Sequence, residues 1–168
     1  TNFIQGNYAV ISPSSKHFTK RYPKELYIEL FKDLSIKIVL TGDNNETDKE
    51  ICSYLESKIK NSLNLCGKLC FSELAGLISE SKFVLCNDSG VLHLAEALGK
   101  KTYVTFGSTV KEFGFYPQLD TTEVSEILGL KCRPCSHIGR SKCPKGHFKC
   151  MKLIGTDLIN ERIMRFAK

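Results

Sequence analysis

Cys86-Asn87-Asp88-Ser89-Gly90-Val91-Leu92-His93-Leu94-Ala95-Glu96-Ala97-Leu98-Gly99 is the stretch on which the reading of this 168-residue chain turns. The apolar run before it, Phe83-Val84-Leu85-Cys86, predicts a buried strand. The strand ends in Asn-Asp-Ser-Gly, and Val91, Leu94, Ala95 and Leu98 at once set a helical spacing. Polar groups therefore gather where a strand meets the N-terminus of a helix. In an open α/β sheet, ligands bind there, outside the carboxyl ends of the strands. The free N–H groups and positive dipole end of such a helix favour an anion, phosphate above all. Asp88 and His93 flank that point and can hydrogen-bond a sugar or a phosphate. An ordinary capped helix, with Asp88 or Ser89 as N-cap and His93 on the surface, fits the same residues.

Working outward, strand-like and helix-like segments alternate. Tyr8–Ser12 predicts a strand, and a polar loop runs from Ser14 to Tyr22. Pro23 suits the first turn of a helix reaching about Leu34. Ile36–Leu40 predicts a strand, Glu46–Lys58 a helix, Ser62–Leu65 a short strand and Ser72–Ser79 a helix. Lys101–Phe106 predicts another strand, ending at Gly107-Ser108-Thr109. The alternation implies an α/β fold, a Rossmann-like parallel sheet with helices on both faces. Residues 1–130 are expected to form that domain, with the basic, Cys-rich segment 131–168 and a C-terminal helix completing it. The Gly-x-Gly-x-x-Gly fingerprint is missing after the first strand and the Walker pattern is absent, which argues against NAD or FAD enzymes and P-loop hydrolases.

Charge is uneven. The net +6 divides into +8 over residues 131–168, with ten Lys or Arg against Asp157 and Glu161, and −2 over the first 130. A basic end favours an anionic partner such as a phosphate, a nucleic acid or a membrane surface, and equally describes a solvated face. No apolar run approaches transmembrane length and no signal-peptide pattern opens the chain. It begins at Thr1 and runs almost directly into a strand, from which an upstream domain is expected to be missing.

Of the eight cysteines, Cys52, Cys66, Cys70 and Cys86 lie in or near apolar segments and read as small hydrophobes. Cys132, Cys135, Cys143 and Cys150 cluster with His137 and His147. Such thiolates can hold a tetrahedral structural zinc, although six residues separate Cys143 and Cys150 rather than two to four. Reduced thiols packing an irregular loop, or disulfides, are the alternatives, and a reducing compartment disfavours disulfides.

Several motifs in order then resemble glycosyltransferase family 9, the ADP-heptose:lipopolysaccharide heptosyltransferases. Ser12-Pro13-Ser14-Ser15 with Thr19-Lys20-Arg21-Tyr22-Pro23 looks like the family's Pro-Gly-Ala…Lys-Arg-Trp-Pro loop. Thr41-Gly42 through Glu46 looks like its Gly-Gly-x-x-Glu turn, and Asn64-Leu65-Cys66-Gly67-Lys68 is similar to its Asn-Leu-x-Gly-Lys/Thr. Asn87-Asp88-Ser89-Gly90 to His93 resembles Asp-Ser/Thr-Gly-x-x-His, and Phe106-Gly107-Ser108-Thr109 resembles Phe-Gly-x-Thr. The tail, Cys132-x-Pro134-Cys135 with Cys143-Pro144-Lys145-Gly146-His147 and Cys150-Met151, resembles heptosyltransferase II. Ser14 stands where the family usually has Gly, and Tyr22 where it has Trp.

The resemblance implies the C-terminal, donor-binding half of a GT-B enzyme that moves heptose from ADP-heptose to the lipopolysaccharide inner core with inversion. Lys20, Asp88 and His93 become the expected catalytic residues. Lys20, with Thr19, the N–H groups of Ser89, Gly90 and Val91, and Thr109, would meet the diphosphate. Asp88 would accept from heptose hydroxyls, His93 would bond heptose or diphosphate, and Glu46 would grip ribose hydroxyls. No cofactor and no metal is required for transfer. The implied partners are the acceptor, the absent N-terminal domain and the inner-membrane surface, reached by charge from the cytoplasm. A related transferase with another nucleotide-sugar donor, or a basic zinc and nucleic-acid binding module, are the rival readings. Against nucleic acid, the basic residues are not interleaved with base-stacking aromatics.

Overall fold

The computed structural model describes residues 4, 6–32 and 34–167. Six strands form one sheet: β1 (Tyr8–Ser12), β2 (Lys37–Leu40), β3 (Ser62–Asn64), β4 (Val84–Asn87), β5 (Thr102–Phe106) and β6 (Thr122–Glu126). All pairings are parallel, in the order β3-β2-β1-β4-β5-β6. Helices α1 (Lys24–Leu30), α2 (Glu46–Glu56), α3 (Phe71–Glu80), α4 (Gly90–Ala97), α5 (Lys149–Lys152) and α6 (Thr156–Ala167) cover it. A parallel strand covered on both sides needs apolar residues at successive positions. In β1 all five residues are buried, and alternate ones serve opposite faces. Ala9 and Ile11 join Tyr27, Leu30, Leu55 and Ile159 on one side. Tyr8 and Val10 join Leu77, Ile78, Leu92 and Ala95 on the other.

The Rossmann-like expectation is thus met, with differences that have physical causes. The first helix ends at Leu30, not near Leu34, because Phe31 turns out of helical geometry at ψ 4° and is buried. Pro23 is its N-cap, at ψ 127°, rather than a residue of the first turn. Strand β6 was not expected. Its sequence, Thr122-Glu123-Val124-Ser125-Glu126, pairs along one edge only and is mostly half-buried, so it lacks an apolar run. Arg162 and Arg165 of α6 reach Glu123 on this strand, at 2.6 and 3.8 Å. Glu96, buried in α4, accepts from the N–H groups of Gln118 and Leu119 and the Thr122 hydroxyl, fixing the approach to β6. Cys52, Cys66 and Cys86 are buried as expected, whereas Cys70 is exposed at the N-cap of α3. Among the described residues, no helix is long and apolar enough to cross a membrane.

Candidate active site

In this strand order the chain direction across the sheet reverses between β1 and β4, which splays their following loops apart and leaves a crevice. The crevice has a volume of about 910 Å³. Its walls come from the loop after β1, the turn after β2, the start of α3, and the Asp88–Val91 junction.

Asn87 builds the junction. It is fully buried, and its Oδ1 accepts from the Tyr22 N–H (3.0 Å) and the Thr105 hydroxyl (2.7 Å). Its Nδ2 donates to the carbonyls of Pro13 and Ser14, at 2.9 and 3.2 Å. One amide thereby ties the loop after β1 to the ends of β4 and β5. Tyr22, where the family usually has Trp, stays packed: its ring meets Tyr27 edge-on at 5.3 Å and its hydroxyl donates to Ile154 O.

Asp88 follows, 3% exposed, with its Oδ2 2.7 Å from Lys20 Nζ and accepting from the Thr109 hydroxyl at 2.6 Å. Lys20 belongs to a short 3-10 turn, Phe18–Lys20, and is nearly buried. The turn lies against β5 because Gly107 has no side chain: a Cβ there would sit 2.8 Å from Thr19 O and from Met151. Ser89 is the N-cap of α4, yet its hydroxyl makes no cap bond and is buried without a partner. The first N–H groups of α4 have no intrahelical acceptor by helix geometry. A Cβ at Gly90 would meet nothing within 4 Å, so the protein's own packing does not demand glycine there.

The crevice therefore gathers five of the expected site residues: Lys20, Asp88, Ser89, Gly90 and Val91. Four others lie elsewhere. Thr109 is fully buried and stands behind Asp88, its hydroxyl already donated. Thr19 is turned the other way, accepting from the Arg140 N–H at 2.8 Å. Glu46, the first residue of α2, points to solvent with a side chain 98% exposed, 3.8 Å from Lys49. His93 is exposed on α4 and is not part of the wall, because Val91 and Leu94 hold the inward positions of that helix.

Other wall residues went unread in the sequence. Asp48, 8% exposed, accepts from the Ser14 hydroxyl (2.6 Å) and the Asp43 N–H (2.8 Å). Gly42 leaves room for it, since a Cβ would come within 3.0 Å of its Oδ2. Arg21 donates to the carbonyls of Ser15 and Lys16, and burial lowers its pKa while Asp48 opposes that shift. His17 is pushed below its ordinary pKa by burial and then by Lys20, Lys16 and Arg21. Leu69, Phe71 and Leu74 form an apolar wall, with Phe71 74% exposed.

The four late cysteines line a separate cavity of about 190 Å³ behind Thr19. Cys132 Sγ lies 3.8 Å from His147 Nε2. Burial, and then Cys135, Cys143 and Cys132, push the Cys150 thiol up to about 11. Zinc needs thiolates converging at about 2.3 Å on one point. Among the described residues, no three His, Cys, Asp or Glu side chains are placed to hold a metal ion, so the structure gives the zinc expectation no support.

Comparison with known proteins agrees with this architecture. Lipooligosaccharide heptosyltransferase 2 of Campylobacter jejuni is 28% identical over 159 residues, covering 92% of this chain and 46% of that protein. The chain thus spans about half the length of the curated relative. The solved structure of Escherichia coli ADP-heptose lipopolysaccharide heptosyltransferase II superposes with a TM-score of 0.76 at 21% identity, over 96% of this chain and 46% of that one. That of E. coli heptosyltransferase WaaC with ADP-2-deoxy-2-fluoro heptose gives 0.69 at 20% identity, over 95% and 43%. The family model for glycosyltransferase family 9 (heptosyltransferase) matches residues 2–145. With that match over most of its length, on a sheet of this order, the chain belongs to glycosyltransferase family 9, the heptosyltransferases.

Proposed function

We propose that the chain is the donor-binding half of an inverting heptosyltransferase and that the 910 Å³ crevice takes ADP-heptose. The observation that carries this reading is the Lys20–Asp88 pair, buried at 2.7 Å beside the open N-terminus of α4. A diphosphate would add negative charge opposite the Lys20 ammonium and the unmatched N–H groups at the start of α4. It would draw on the Lys20 ammonium, the N–H groups of Gly90 and Val91, and the unpartnered Ser89 hydroxyl. Asp88 holds the ammonium in place and offers its carboxylate to sugar hydroxyls. Glu46 points away from the crevice, so the ribose hydroxyls fall to Asp48, whose carboxylate forms part of the wall. Leu69, Phe71 and Leu74 offer an apolar surface for the base.

The chemistry follows from charge. As the bond between the anomeric carbon and the diphosphate oxygen breaks, its electron pair moves onto the leaving ADP. A cation and N–H dipoles already fixed at that point stabilise the growing charge more than the ground state, lowering the barrier. The acceptor oxygen attacks the opposite face in a single displacement, so no enzyme nucleophile is required. The base that takes its proton, and the acceptor site, belong on this reading to the N-terminal half of a longer protein. The basic residues of the 131–152 segment, among them the exposed Lys131, Arg140, Lys142, Lys145 and Lys149, would assist docking to an anionic acceptor at the cytoplasmic face of the inner membrane.

A ligand series tests the reading. ADP-heptose and ADP should raise the thermal midpoint of the chain, while UDP and GDP at equal concentration raise it less. Stabilisation by UDP or GDP above ADP would favour a transferase with a different donor. Salt-dependent affinity for nucleic acid without nucleotide binding would favour a nucleic-acid module.

A further inference from the structure

A largely buried charge pair lies behind the crevice without lining it. The Arg133 side chain is 5% exposed and pairs with the Glu126 carboxylate at the end of β6. Its Nε and Nη2 both donate to the Thr109 carbonyl, at 3.0 and 2.8 Å, and its Nη1 donates to Ile127 O at 3.0 Å. The other Glu126 oxygen accepts from the Tyr116 hydroxyl at 2.9 Å. Among the described residues the guanidinium's hydrogen bonds thus go to three acceptors: Thr109 O, Ile127 O and the Glu126 carboxylate.

An ion pair taken largely out of water is a poor stabiliser when compared with well-packed apolar side chains, because its charges lose hydration. What this pair does is fix Thr109. The Thr109 hydroxyl donates to Asp88 Oδ2 at 2.6 Å, and the same oxygen holds Lys20 Nζ at 2.7 Å. Glu126, Arg133, Thr109, Asp88 and Lys20 therefore form one continuous series of contacts, from the sheet edge to the crevice. Lysine could not replace arginine in it. One ammonium lacks the planar fork that bonds one carbonyl twice while meeting a second carbonyl and a carboxylate.

We propose that Arg133 is a positioning residue for the donor site, setting the Thr109 hydroxyl and, through it, the Asp88 carboxylate and the Lys20 ammonium. Its consequence for affinity rests on the donor reading above; the positioning itself does not.

The test uses the 168-residue chain with its lysines labelled with ¹⁵N at Nζ. The Lys20 ammonium, largely buried and held by Asp88, gives a slowly exchanging NMR signal that is identified by its loss in Lys20→Arg. In Arg133→Lys that signal shifts and broadens, and the Kd for ADP rises about tenfold. Arg162→Met, which breaks the Arg162–Glu123 pair on the same strand, lowers the thermal midpoint but leaves the signal and the Kd unchanged. If Arg133→Lys does not fold, Glu126→Gln decides, with a smaller change of the Lys20 signal in the same direction. An unperturbed Lys20 signal in the folded Arg133 or Glu126 variant overturns the proposal, whatever happens to stability. Failure of the unaltered chain to bind ADP would sink the donor reading and leave the Lys20 signal to judge Arg133.

Discussion

Asn87 carries more of the site's geometry than any charged residue. Its side chain makes four hydrogen bonds, three to segments 65 to 74 residues away in sequence and one to a residue 18 away. Removing a buried amide leaves those donors and acceptors unpaired, so Asn87→Ala should cost about 3 kcal/mol or more in denaturant unfolding. Loss of less than about 1 kcal/mol would show that the loop after β1 is held by other means. Asp88, Ser89, Gly90 and Val91 were legible in the sequence because a strand–helix junction is local, and Lys20, on the separate turn after β1, only through the resemblance. Asn87, Asp48 and Arg133 were not, because their roles depend on contacts that no spacing along the chain reveals. Glu46 and His93 show the converse: the resemblance carries their residue types, but helix geometry turns both outward. His17 offers a titration at this scale. Burial and three neighbouring cations hold its pKa below the ordinary value, so it is neutral at pH 7. A bound diphosphate would favour the charged imidazole and raise that pKa. Proton uptake then accompanies binding, and affinity should strengthen as pH falls towards the His17 range. NMR titration of His17 with and without ADP checks the direction of the shift.

Single close approaches decide how the elements carry the site. The turn bearing Lys20 reaches β5 only because Gly107 is bare, with Thr19 O where a methyl would be. Gly107→Ala should therefore push the Phe18–Lys20 turn off β5 and weaken ADP binding about tenfold or more, read by calorimetry. An unchanged Kd would mean that the turn tolerates the shift. At the far edge, Glu96 of α4 gathers two N–H groups and a hydroxyl that set the entry to β6. Glu96→Ala should lower unfolding stability by about 2 kcal/mol, with the loss of hydrogen-exchange protection concentrated in residues 118–126. Uniform loss across the sheet would contradict that local role. Strands β1, β2, β4 and β5 were readable because strands covered on both faces carry apolar runs, whereas β3, Ser62-Leu63-Asn64, is a short half-buried edge strand without one. Strand β6 was not readable, since an edge strand that alternates polar side chains has the pattern of a loop.

At the scale of the whole molecule, charge and cavity are segregated. The crevice sits at the switch point of the sheet, and the excess positive charge sits in the last 38 residues. The division was visible in composition; the order of the strands that places the crevice between β1 and β4 was not, because pairing order is set by packing across the sheet. Since the chain covers about half of the relatives it matches, the donor reading predicts binding of donor without transfer of heptose. The most direct test is calorimetric titration of the unaltered chain and of Lys20→Ala with ADP-heptose. The prediction is saturable one-site binding that falls at least tenfold in Lys20→Ala, as loss of a buried charge-assisted contact to phosphate requires. Equal affinity in the two proteins, or binding that does not saturate, would contradict the assignment of this crevice to the nucleotide-sugar donor.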